Sequence, residues 1–262
     1  MSKSKFKLLM IWSVILGIFL GAILIRYDIY ILPYLFGYTI AALVIIFIVI
    51  FLITLYIAYR NFKLQMKMLN MGKYEEVIKE LLNKHKKVSK SFLYKQQYLG
   101  NVANCYNRMG NFEESLNYLD KINNDIADKN SKALNYVLYA HNLYFLGMDI
   151  EKAEELVNKS RQLMDMPETI LLDALIKLEL GEEEKAANII EEYYRLKSKK
   201  KYILGFYTQI VFDEYTKEVN ENFMLGYYYF KLGSMGKANK YLSQAAKCDY
   251  KNYFSDKAKE LL

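Results

Sequence analysis

Cysteine and histidine are nearly absent from this chain. Cys105 and Cys248 are the only cysteines, too few for a disulfide framework and without the paired spacing of a zinc or redox motif. Both read as small core residues with free thiols, which suits a reducing compartment. His85 and His141 are the only histidines, and they have no metal-ligand spacing to each other or to either cysteine. No phosphate-binding glycine loop occurs, because every glycine near a turn has a backbone explanation. With no catalytic constellation in view, neither an enzyme nor a cofactor is expected. Proline is scarce too: after Arg60 there is only Pro167, and helical periodicity runs throughout, which argues against a strand-rich domain.

Charge is missing from one long stretch. Between Leu8 and Tyr59 only Arg26 and Asp28 are ionised at neutral pH, whereas everything after Arg60 is charged, polar and interrupted by glycine. The break near Arg60 divides the chain into 1–60 and 61–262. The formal charge is +7, and its location matters more than its size. Five of the 36 basic and one of the 29 acidic residues lie in the first sixty positions, leaving 31 against 28 for the remainder. A nucleic-acid partner would need one sign clustered on a face, and this near-balance gives none.

The apolar region reads as a membrane hairpin. Residues 8–25 are uncharged, and at about 1.5 Å per residue a helix of that length crosses most of a roughly 30 Å hydrocarbon core. A second span is expected at about 34–56, with the residues around Pro33 in the turn. Lys3, Lys5 and Lys7 precede the first span, Arg60, Lys63 and Lys67 follow the second, and the turn holds Arg26 alone. Basic flanks stay inside, so both termini are expected to be cytoplasmic and the location a plasma membrane. A cleaved secretory signal is the competing reading, but no A-x-A-like site follows. Gly17 and Gly21 form a small-residue face that suits packing on the second span and leaves a homo-oligomer possible.

Past Arg60 the sequence repeats. An apolar and aromatic helix, a turn with glycine, an aromatic or aliphatic residue and a small residue opening a second helix recur around Gly72, Gly110, Gly147, Gly181 and Gly233. The intervals are 38, 37, 34 and 52 positions, a solenoid period whose last step holds an 18-residue excess. That excess, within Lys199 to Asn222, is a degenerate repeat or an inserted helix.

These motifs resemble the tetratricopeptide repeat family, whose first helix carries L-G-x2-Y and whose second opens on a small residue. The fifth motif matches best, with Leu225, Gly226 and Tyr229 before Gly233, and Ala238 and Leu242 after it. The second matches through Tyr106, Gly110, Phe112, Ser115 and Leu119, and the third through Tyr144, Ala153 and Val157. No repeat keeps the family's tryptophan. The resemblance covers about three quarters of the chain and implies an all-α fold: a two-helix transmembrane hairpin followed by an α-solenoid of about five repeats. It implies packing roles for the small and aromatic residues. It also implies about three repeats between Cys105 and Cys248, hence no bridge, and a C-terminal helix from Ser255 to Leu262 capping the open end.

In this family the first helices line a concave groove. By that register Asn101, Asn104, Arg108, Asn135, Tyr139, Asn142 and Tyr227 are expected to face it. Asparagine amides donate to and accept from an extended backbone, and tyrosine adds apolar area with a polar tip. The function implied is a membrane-anchored scaffold that binds a protein or peptide partner on its concave face. The alternative is a regulatory receptor that senses a short peptide. The Asn-, Lys- and Tyr-rich composition suggests a bacterium of low G+C content.

Overall fold

A computed structural model describes residues 32–87, 92–164, 166–198 and 214–262. Every regular element among them is a helix. The expected first span, 8–25, lies outside the described residues, as do 199–213. The chain divides into two compact units, Met1–Asn61 and Phe62–Leu262.

The described part of the first unit is the apolar portion of helix α1 (Leu32–Asn70). Large apolar side chains from Ile40 to Tyr59 are exposed on every side of it. Thr54 donates its hydroxyl to the Ile50 carbonyl at 2.8 Å, so even this polar group is satisfied within the helix.

The second unit takes up the end of α1 and continues through α2 (Tyr74–Lys87), α3 (Phe92–Arg108), α4 (Phe112–Leu119), α5 (Lys129–Leu146) and α6 (Ile150–Leu163). Then follow α7 (Pro167–Glu179), α8 (Glu183–Ser198), α9 (Glu214–Lys231), α10 (Met235–Ala245) and α11 (Tyr253–Leu261). Of the stretch from Lys199 to Asn222, residues 214–222 belong to α9 itself.

Five turns share one backbone path. Gly72, Gly110, Gly147, Gly181 and Gly233 have φ between 65° and 78°, a region that costs a side chain about 1 kcal/mol or more. In each the residue after glycine donates to a carbonyl five positions back, as Asn111 to Tyr106 at 2.9 Å and Ser234 to Tyr229 at 2.9 Å, while the glycine donates three back. This double closure satisfies carbonyls that the helix end leaves open. The first helix ends there and the chain reverses into the second.

Small residues set how closely the helices of a pair approach. Ser115, Ala153 and Ala238 are fully buried, and Ser115 donates to the Ala103 carbonyl at 2.8 Å, as Ser160 does to Ala133 at 2.9 Å. A Cβ on Gly226 would lie 2.7 Å from Leu242 Cγ. Tyr106 stacks on Tyr118 with centroids 5.4 Å apart, while Phe112, Tyr144, Leu225 and Tyr229 are buried in the core. Helices α3, α5, α7 and α9 pack successively on one another, forming the inner layer of the unit.

The C-terminal helix departs from the expected end cap. It packs on α9 and α10, but its leading residues reach earlier helices. Phe254, 1% exposed, meets His141, Phe145 and Phe223 at ring separations of 5.2 to 5.7 Å. Tyr253 meets Phe112 edge-on at 5.0 Å. Gly110 leaves room for the Tyr253 ring, and Gly72 for the Lys251 backbone. Asn252 caps the helix by accepting from the Phe254 amide at 2.9 Å. The tail therefore fills space among the helices of the second unit. It also brings Cys248, like Cys105, within electrostatic reach of Tyr74. Both thiols are free.

Candidate functional site

The inner layer bounds a half-open cavity of about 150 Å³, a volume that accommodates benzene in an engineered protein core. Helix α3 contributes Gln96, Asn101, Asn104 and Asn107; α5 contributes Asn135, Leu138 and His141; α7 contributes Glu168; and α9 contributes Asn220 and Met224. The wall is mostly apolar by area but carries an unusual number of carboxamides.

The reason these groups meet is helical spacing. Asn101, Asn104 and Asn107 stand three apart on α3, which keeps them on one face, and α5 presents Asn135, Leu138 and His141 with the same step. Helix α5 is fixed at both ends: Asp128 accepts from the amides of Asn130 and Ser131 at 3.0 and 3.1 Å, and Gly147 closes its C-terminus. Helix α7 begins on Pro167, which suits a first helical position, and this places Glu168 in the first turn.

The floor is a chain of hydrogen bonds. Asn107 Nδ2 donates to His141 Nδ1 at 3.0 Å and to Asn142 Oδ1 at 2.7 Å. Asn142 Nδ2 then donates to Ser115 Oγ at 2.8 Å. Because the amide donates, His141 Nδ1 carries no proton, and the neutral ring bears its hydrogen on Nε2. Burial pushes the imidazole down to about 3, since little solvent reaches the ring to support a charge. His141 also meets Phe145 at a tilt, with ring centroids 4.5 Å apart. It joins the floor of the cavity to the aromatic layer against which α11 packs.

Other groups of the wall are oriented as well. Gln96 Oε1 accepts from the Asn123 amide at 3.0 Å, and Asn135 donates to Asn124 Oδ1 at 2.9 Å. Asn220 differs: it is 8% exposed and its Oδ1 is buried without a hydrogen-bond partner. A buried acceptor in that condition costs about 1–3 kcal/mol.

Of the residues expected on the inner face, the structure brings Asn101, Asn104 and Asn135 to the cavity. Asn142 lies behind it in the hydrogen-bonded floor. Arg108 does not line it: 1% exposed, its Nε sits 3.4 Å from Asn104 Oδ1 and within electrostatic reach of Tyr74 and Cys105. Tyr139 turns to Asp120, to which its hydroxyl donates at 2.9 Å. Tyr227 stacks on Phe223 with centroids 5.7 Å apart.

No protein-family model matches the chain, and neither a curated protein nor a solved structure matches it.

Asn107, Glu168 and Asn220 complete the site without having been singled out in the sequence. Asn107 was legible as the third member of a three-spaced asparagine row. Glu168 and Asn220 carry no local signal, since only tertiary packing brings α7 and α9 to the same cavity.

Proposed function

We propose that this chain is a membrane-anchored helical-repeat adaptor of tetratricopeptide type, without enzymatic activity, that holds a segment of a partner protein on its inner face. The observation that carries the reading is the cavity, whose wall is drawn from the first helices of four successive pairs and is rich in carboxamides. Amides offer both donors and acceptors, as recognition of a polypeptide requires. The five identical turn closures support the family resemblance.

Among the described residues no helix is long and apolar enough to cross a membrane. Support for an anchor comes instead from the chemistry of α1. Residues 39–56 contain no Asp, Glu, Lys or Arg, and the surrounding apolar side chains are exposed on every side. A helix apolar all round needs a cover, and a lipid bilayer is the cover proposed, with the second unit and both termini cytoplasmic.

A second reading, a receptor for a short peptide, draws on the cavity's size, which suits a small group better than a folded domain. The test is site-specific photocrosslinking in cells that make the protein naturally. A crosslinker at Asn101, on the cavity wall, is expected to capture a defined partner, and one at the exposed Glu113 is not. Equal capture at both positions, or none at Asn101, contradicts binding on the inner face.

A further inference from the structure

We infer that the beginning of the second unit, from the end of α1 through α2, is a docking surface for anionic lipid headgroups; this rests on the membrane-anchor reading above and not on the inner face. The near-balance of charge in the unit hides an uneven distribution. Residues 62–95 carry nine lysines against three glutamates, whereas 96–262 carry 22 basic residues against 25 acidic ones. The positive excess is confined to the segment that follows the apolar helix in the chain, which a bilayer anchor holds close to headgroups.

Helical spacing turns this excess into a face. Tyr74, Val77, Ile78 and Leu81 bury one side of α2, so Lys79, Asn83 and Lys86, at steps of four and three, stand together on the exposed side. Lys63 and Lys67, one turn apart near the end of α1, are exposed as well. Glu76 and Glu80 are taken up by Lys73 and Lys84, which leaves Glu75 against Lys63, Lys67, Lys79 and Lys86, none of them ion-paired among the described residues. The tail adds a further cation, since Lys251 is exposed and its backbone would lie 3.0 Å from a Cβ on Gly72. Like charges on one face repel one another, and an anionic leaflet offsets that repulsion, each lysine near its surface strengthening binding about fivefold. Single-stranded nucleic acid is equally anionic but binds with stacking rings beside the cations, and the one tyrosine of α2, Tyr74, is buried.

The test uses the full-length protein reconstituted into vesicles of phosphatidylcholine, alone or with phosphatidylglycerol added. A fluorophore on Asn83→Cys reads energy transfer to acceptors on the headgroups. Transfer is expected to rise with phosphatidylglycerol and to fall between about 0.1 M and about 1 M salt, as the Debye length shortens from about 10 Å to about 3 Å. Joint replacement Lys67→Gln, Lys79→Gln and Lys86→Gln should lower the ratio of docked to undocked protein on the order of a hundredfold. The matched set Lys237→Gln, Lys240→Gln and Lys247→Gln, on or beside α10, removes the same charge and should leave the transfer unchanged, and thermal unfolding of each variant reports whether the fold is kept. Transfer that is equal with and without phosphatidylglycerol, or lost equally in both folded variants, overturns the docking surface. Complete displacement by a short RNA at an equal phosphate concentration assigns the surface to nucleic acid and overturns the lipid. Flotation with pure phosphatidylcholine vesicles at high salt reads the anchor separately. Protein that fails to float there removes the anchor reading and the inference with it, whereas floating protein without lipid-dependent transfer removes the docking surface alone.

Discussion

At the scale of single residues, His141 concentrates the physics of the inner face. Its pKa is pushed from 6.5 to about 3 by burial. A depressed basic group contributes stability above its unfolded pKa and loses it as pH falls toward the folded value. Below about pH 6.5 the unfolded chain takes up a proton that the folded chain refuses, so stability should fall by about 1.4 kcal/mol per pH unit down to about pH 3. Urea midpoints of the full-length protein between pH 7 and 4.5 measure this slope. His141→Asn should flatten it; an unchanged slope would show that other groups govern the acid response. The two thiols belong to the same scale. Burial raises Cys105 to about 12 and raises Cys248 as well, so neither is a ready nucleophile at neutral pH. Both should resist alkylation at pH 8 until denaturant is added, and rapid labelling of Cys105 in the native protein would contradict its burial.

At the scale of elements, the turn glycines divide into two kinds. Gly147, Gly181 and Gly233 have open space where a Cβ would go, whereas Gly110 faces the Tyr253 ring. Gly147→Ala should cost about 1 kcal/mol, the strain of its φ alone. Gly110→Ala should cost about 2 kcal/mol more, because the tail must also shift. Combining it with Tyr253→Ala should recover most of the difference, and equal costs at the two glycines would mean the tail does not seat there. These elements also show what local sequence carries. The glycine turns and the small residues Ser115, Ala153 and Ala238 were legible, because φ and close helix approach each restrict residue type at one position. The tail was legible as a helix but not in its place: Phe254 looks like any amphipathic anchor until the fold sets it against His141 and Phe223. Arg108 and Tyr139 sit at inner-face spacing, yet each follows a partner that spacing does not reveal. Arg108 turns to Asn104, and Tyr139 to Asp120.

Ion pairs join elements in a similar way. Arg161 on α6 reaches Asp173 on α7 at 2.5 Å and Glu192 on α8 at 2.7 Å. Asp173 is mostly buried, and desolvation raises its pKa despite the guanidinium beside it. Arg161→Met leaves the buried Asp173 carboxyl without its guanidinium, and should lower stability by about 3 kcal/mol. A midpoint in urea within error of wild type would show the triad to be neutral.

At the scale of the molecule, an apolar helix leads into a layered helical unit whose inner face bounds a carboxamide-rich cavity. The anchor predicts a topology: cysteines introduced at Lys3 and Lys251 should both be labelled only after the cytoplasmic side of native membranes is opened. The binding claim depends on the cavity, and the most direct measurement fills it. Gly100 lines the α3 wall, and a Cβ there points at Asn135 Oδ1 from 3.0 Å, so Gly100→Leu extends a side chain into the space while improving helix propensity. The partner captured from Asn101 should be lost from Gly100→Leu protein isolated from native membranes, with a cooperative thermal unfolding transition showing that the fold is kept. Undiminished recovery of that partner from a folded Gly100→Leu variant would contradict the account.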